Sequence, residues 1–165
     1  MYKRFGLVAV GAAALVGLVA CGDSDEGDAA GSDCEIIGGS AAGGGVDAVN
    51  VTLKEWSITA ETSSAAAGAV TFAVRNDGEE PHELVILRAT PADLTVVDGQ
   101  VDEEALGEEA FVGEVESFES GGTCEGTFEL TAGEYVLFCN ILEEEDDGEV
   151  ESHFDHGMIT TFTVT

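Results

Sequence analysis

The stretch Gly133-Glu134-Tyr135-Val136-Leu137-Phe138-Cys139-Asn140, followed by Ser152-His153-Phe154-Asp155-His156-Gly157-Met158 and then Ile159-Thr160-Thr161-Phe162-Thr163-Val164-Thr165, decides the fold. Tyr135, Leu137 and Cys139 share one face of a period-2 segment, and Val136 and Phe138 share the other. Met158, Thr160, Phe162 and Val164 alternate in the same way. Two strands are therefore predicted, joined by a loop that begins with a cysteine and ends with a histidine and a methionine. Thiolate, imidazole and thioether are soft and borderline donors that together suit copper.

Working back from this stretch, Leu130-Thr131-Ala132-Gly133-Glu134-Tyr135 places a leucine and a glycine turn before a tyrosine entering a strand. That order resembles the tyrosine corner of Greek-key sandwiches. Thr123 to Leu130 alternates, with Cys124, Gly126, Phe128 and Leu130 on one face, and Phe111 to Phe118 is weakly strand-like. Ala89 to Ala110 shows no clear period and reads as an excursion between strands. Leu84-Val85-Ile86-Leu87 is a short continuous apolar run of the buried-strand type, with His82 at its entrance. Asn76-Asp77-Gly78 is a turn signal after a strand from Ala69 to Arg75, where Val70, Phe72 and Val74 face inward. Asp47 to Thr59 reads as the first strand. Its apolar parity changes near Glu55, which predicts a β-bulge, and Trp56 is expected in the core. Short period-2 segments without a long amphipathic helix predict an all-β Greek-key sandwich over residues 47–165.

The N-terminus has a different composition. Lys3 and Arg4 precede an apolar run from Phe5 to Ala20, a signal peptide over residues 1–20 by charge and length. Leu18-Val19-Ala20-Cys21 resembles a bacterial lipobox, which implies lipidation of Cys21 and tethering to the outer face of the cell membrane, in the periplasm or its equivalent. Residues 21–46 are mostly Gly, Ala, Ser and Asp and read as a flexible spacer. With Cys21 lipidated and Cys139 in the loop, Cys34 and Cys124 remain. In an exported protein a disulfide between them is expected, laying the second half of the spacer on the domain; free thiols and intermolecular pairing are the alternatives.

The chain of 165 residues has a formal net charge of −29. Export would leave Lys54, Arg75 and Arg88 against 34 acidic residues. Such a surface excludes binding to nucleic acid or anionic lipid by charge and steers a basic partner toward the protein. Adaptation to high salt would produce the same surface. The run Glu143-Glu144-Glu145-Asp146-Asp147-Gly148-Glu149 can be aligned to a calcium loop, but Phe154 then falls where a bidentate glutamate is required. A solvated charge run is the simpler reading.

Asn76-x-Gly78-x-x-x-His82, Gly133-x-Tyr135-x-x-x-Cys139 and His153-x-x-x-x-Met158 together resemble the cupredoxins, in particular the plastocyanin-like blue copper domains of bacteria. The resemblance implies His82, Cys139 and His153 as strong ligands of one type 1 copper and Met158 as its weak axial ligand. It favours His153 over His156, since only Gly157 separates His156 from Met158. It also implies a single-electron carrier serving a redox partner protein, and no enzyme: one ligand set is present, and no catalytic triad or carboxylate pair stands out. A non-redox copper-binding or delivery module, or a metal-free binding domain on the same fold, is the alternative. One departure is plain. The family's loop between cysteine and histidine is short, whereas here thirteen residues intervene, from Asn140 to Ser152. Their charge is expected to favour Cu(II) over Cu(I).

Overall fold

A computed structural model describes residues 34–41, 48–144 and 148–165. The signal peptide, the lipobox at Cys21 and the first part of the spacer lie outside the described residues. The strands in chain order are β1 (Ile36–Ile37), β2 (Ser40–Ala41), β3 (Val49–Lys54), β4 (Ser57–Ala60), β5 (Ser64–Ala65), β6 (Gly68–Asn76), β7 (His82–Leu87), β8 (Val96–Val97), β9 (Gln100–Val101), β10 (Phe111–Phe118), β11 (Thr123–Leu130), β12 (Gly133–Phe138), β13 (Leu142–Glu144), β14 (Val150–Ser152) and β15 (Ile159–Val164). One sheet has the order β1-β10-β7-β12-β15-β5 and the other β2-β11-β6-β3-β4. The protein is thus an all-β sandwich of cupredoxin type. No helix among the described residues is long and apolar enough to cross a membrane.

The core between the sheets follows the sequence periodicity. Val70, Phe72 and Val74 of β6, Cys124, Phe128 and Leu130 of β11, and Tyr135 and Leu137 of β12 all face it. Phe72 meets Phe162 at 5.3 Å between ring centroids, in an edge-on arrangement favoured by aromatic quadrupoles. Burying each such large apolar side chain contributes about 1.5–3 kcal/mol. The tyrosine corner is present: the Tyr135 hydroxyl donates to the Thr131 carbonyl at 2.6 Å and accepts from the Thr131 N–H at 3.1 Å. It pins the chain at the start of the strand that ends at Cys139.

A second apolar cluster lies on the outer face of the larger sheet. Val85, Leu87, Val136 and Phe138 pack there with Ala89 and Val101, and with Leu94, Leu106 and Phe111 at the edge. The excursion from Ala89 to Ala110 is therefore a lid over this face, carrying the small hairpin β8–β9. It explains why Leu84 to Leu87 is apolar without alternation: β7 and β12 are covered on both sides.

Two expectations are corrected. The parity change near Glu55 is a tight turn rather than a bulge: β3 and β4 pair antiparallel, with Lys54 opposite Ser57. A reversal between these two residues changes which side chains face inward, as a bulge would. Trp56 is accordingly only partly buried, at the edge of the core rather than inside it. The disulfide expected between Cys34 and Cys124 is present, and Ile36 and Ile37 pair with Val115 and Glu114. Residues 34–41 hence lie on the sandwich, as that disulfide implied. The apolar pair Ile36-Ile37 in an otherwise small and polar segment supplies the reason.

Candidate metal centre

His82 opens β7, and Cys139 directly follows β12, its neighbour in the sheet. His153 directly follows β14. The three side chains are completely buried. Their ligand atoms lie within 4.8 Å of one another, so together they could hold a metal ion. His82 Nδ1 is 3.2 Å from His153 Nδ1, and Cys139 Sγ is 3.4 Å from His153 Nδ1. The two imidazoles therefore turn Nδ1 toward each other, and Nδ1 of His153 also faces the thiol. Met158 is also fully buried, and its backbone closes the loop: its N–H donates to the His153 carbonyl at 3.0 Å and its carbonyl accepts from the Cys139 N–H at 3.1 Å.

His156 is elsewhere. Its side chain is 43% exposed, with Nδ1 3.6 Å from Glu151 Oε1. It packs on Trp56 with ring centroids 4.5 Å apart, and Trp56 in turn meets His153 edge-on at 5.4 Å.

The electrostatics suit a metal better than an empty site. Burial pushes the Cys139 thiol up to about 12, so without a cation it keeps its proton. Burial also lowers both histidines below the ordinary imidazole value. For His82 the Glu55 carboxylate opposes that shift, and for His153 the neighbouring His82 adds to it. Two neutral imidazoles and one ionisable thiol are the donor set of a soft or borderline metal. The site residues thus fit copper by chemistry and by convergence.

Residues that sequence reasoning missed hold the candidate ligands in place. Glu55 Oε1 accepts from the Glu79 N–H at 2.6 Å and the Glu80 N–H at 3.0 Å, and lies 3.2 Å from His82 Nε2. Burial works against its charge, but the N–H groups of Glu80, Glu55 and Glu79 hold its pKa below the ordinary carboxylate value. With the ring proton on Nε2 toward Glu55, Nδ1 of His82 is left as a lone pair on the side of His153. Gly78 makes room for this: a Cβ there would come within 2.7 Å of His82 Nε2. Asn76 is fully buried and does more than mark a turn. Its side chain donates to the carbonyls of Glu80 at 2.7 Å and Phe118 at 3.1 Å, and accepts from the Gly78 N–H at 2.9 Å. The loop that delivers His82 is fixed from inside.

The cysteine loop is fixed at its two ends. Asn140 exchanges hydrogen bonds with Val101, accepting from its N–H at 2.7 Å and donating to its carbonyl at 3.0 Å. Its backbone N–H donates to Glu83 Oε1 at 2.9 Å. At the other end the Ser152 hydroxyl donates to the Gly99 carbonyl, and the His153 N–H donates to the Ile141 carbonyl at 3.1 Å. Between these anchors β13 and β14 pair as a hairpin. The described ends of the acidic insert therefore pair with each other, which the sequence did not show. Asn140 and Ser152 reach the excursion, whose residues are too irregular to have signalled this contact.

This arrangement of sandwich and ligand cluster is the cupredoxin fold. Among solved structures it is similar to sodium-dithionite-reduced auracyanin from the photosynthetic bacterium Roseiflexus castenholzii, with 16% identity and a TM-score of 0.51 over 74% of this chain and 99% of that one. It is also similar to auracyanin B, with 18% identity and a TM-score of 0.52 over 78% of this chain and 97% of that one. No protein-family model and no curated protein matches the chain.

Proposed function

We propose that the chain is a single-electron carrier holding one type 1 copper through His82, Cys139 and His153, with Met158 as a weak axial ligand. The observation that carries this reading is the convergence of two imidazole Nδ1 atoms and one thiol in a buried site on a cupredoxin fold. Bound copper would supply a one-electron couple whose two oxidation states tolerate the same trigonal donor set. The protein's part is rigidity. The Glu55, Asn76, Asn140 and Ser152 bonds leave the ligands little freedom to move, so little reorganisation accompanies electron transfer.

Because His153 is fully buried, the electron must leave through what covers it. Trp56 touches both His153 and the partly exposed His156, which makes this aromatic pair the proposed contact surface. Glu55, Glu80, Glu143, Glu151 and Asp155 lie on the segments around it, so the partner that docks there presents basic residues. Lipidation at Cys21 would hold the carrier at the outer face of the membrane, with its reach set by the residues before Cys34. The Cys34–Cys124 disulfide accords with an oxidising, extracytoplasmic location.

The test is a visible and EPR spectrum of the chain from Gly22 onward after addition of Cu(II). An intense thiolate-to-copper band with a narrow parallel hyperfine splitting is expected. Colourless protein with bound Cu(I) would favour copper storage or delivery, and absence of copper uptake would leave only a metal-free binding domain.

A further inference from the structure

The outer nitrogen of His153 points away from the copper ligands and into a second cluster. Its Nε2 lies 3.5 Å from Glu80 Oε2 and 3.7 Å from Glu143 Oε2. The three atoms lie within 4.8 Å of one another. His153 is completely buried, and neither its Nε2 nor Glu143 Oε2 makes a hydrogen bond. Leaving such buried polar atoms unsatisfied is costly, and native structures seldom do so without a reason.

We propose that Glu80, Glu143 and the Nε2 of His153 hold a second divalent cation, of the zinc class, beside the copper site. The separations favour an ion over hydrogen bonds. Both exceed the usual 2.7–3.2 Å range for N–H···O. They match instead the spacing of about 3.4 Å between two donors that sit about 2.1 Å from one tetrahedral ion. One imidazole and two carboxylates, without sulfur, suit zinc, whereas the neighbouring thiolate site suits copper. The carboxylates are 27% and 36% exposed, which leaves an approach for the ion and room for a water as fourth ligand.

The cluster is built from three separate segments, each held by bonds of its own. Glu80 is fixed through its N–H to Glu55 and its carbonyl to Asn76. Glu143 sits in β13, paired with Glu151 of β14. His153 is fixed through its N–H to Ile141. Charge points the same way. A copper ion bound by one thiolate with Glu55, Glu80 and Glu143 close by leaves negative charge in excess, and a second cation offsets it.

Were Nδ1 of His153 to hold copper, the ring would keep its one proton on Nε2, and that proton would pass to solvent for a second ion to bind there. This part rests on the copper reading. The carboxylate–imidazole site itself does not.

The experiment loads the chain with one equivalent of Cu(II), then adds Zn(II) under excess Mg(II), which occupies the exposed acidic surface. Bound metal is counted after equilibrium dialysis. One zinc per chain is expected beside the copper, with a shift of the visible band as the shared ring becomes anionic. Glu143→Gln and Glu80→Gln should each weaken zinc binding roughly tenfold or more while the copper band persists. Copper-loaded protein that takes up no zinc would overturn the site, as would zinc binding unchanged in both variants. A chain that takes no copper, yet still loses one bound zinc on Glu143→Gln, would keep this site and sink the electron-carrier reading.

Discussion

Glu55→Ala is the most informative single perturbation, because one oxygen of Glu55 meets three N–H groups. It accepts from the backbone of Glu79 and Glu80 and faces the outer nitrogen of His82. The Glu79 bond is exposed and contributes little. The other two are part-buried bonds to a charged acceptor, each with a net value of about 1.5 kcal/mol at the low end of the range for such bonds. The metal-free variant should lose about 3 kcal/mol in urea denaturation, within the 5–15 kcal/mol typical of a folded domain. Its effect on metal is separate. Without Glu55, the His82 proton is no longer directed to Nε2, and copper affinity should fall about 10–100-fold in competition with a chromophoric chelator. Glu55→Gln keeps a carbonyl acceptor and should lose less than half of either quantity. The pH dependence gives an independent check. The folded pKa of Glu55 lies below its unfolded value of 4.5, so its stabilisation is present above that pH and fades as pH falls through the folded value. The stability gap between the parent and Glu55→Gln should be widest above pH 4.5 and close on acidification. Unchanged copper affinity in Glu55→Ala would refute the argument that this carboxylate sets the His82 tautomer.

Cys139→Ser should abolish the visible band while leaving urea unfolding of the metal-free chain nearly unchanged, since the replacement is close in size. His153→Ala should remove copper binding, whereas His156→Ala should leave the spectrum intact and slow electron exchange with a basic partner; equal loss of the band in both would overturn the placement of the loop. Glu114 has its carboxyl raised to about 7, by burial first and then by Glu116, Glu83 and Glu103. A raised carboxylate pKa favours the folded state at low pH, and that contribution is lost as pH rises from about 4.5 to about 7. Glu114→Gln should therefore flatten the stability profile across this window in urea titrations at several pH values. Reducing the Cys34–Cys124 bridge opens a closure spanning 90 residues and should cost about 4–5 kcal/mol, measured as a drop in urea midpoint.

Much of the fold was legible because β6, β11, β12 and β15 face one core and keep period-2 alternation. The cluster of His82, Cys139 and His153 could be read from the sequence because these residues sit at strand ends, where spacing from a turn or a tyrosine corner is informative. What stayed hidden was tertiary. Glu55 supports His82 from the turn between β3 and β4 of the other sheet, so nothing near it in sequence announces the contact. A hairpin turn at Glu55 and Trp56 shifts parity as a bulge would. Residues 89–110 lack a period because they cover an apolar face instead of extending a sheet. The acidic insert gave only composition, and composition does not report that β13 and β14 pair. The pairing of Glu143 with the far side of His153 was hidden for the same reason.

The two ends of the cysteine–histidine loop are clamped independently, Asn140 to Val101 and Ser152 to Gly99. With both roots held by the excursion, Cys139 and His153 take their positions from outside the chain that joins them. The register between the two candidate ligands is thus carried by residues 99–101, a span remote in sequence from either.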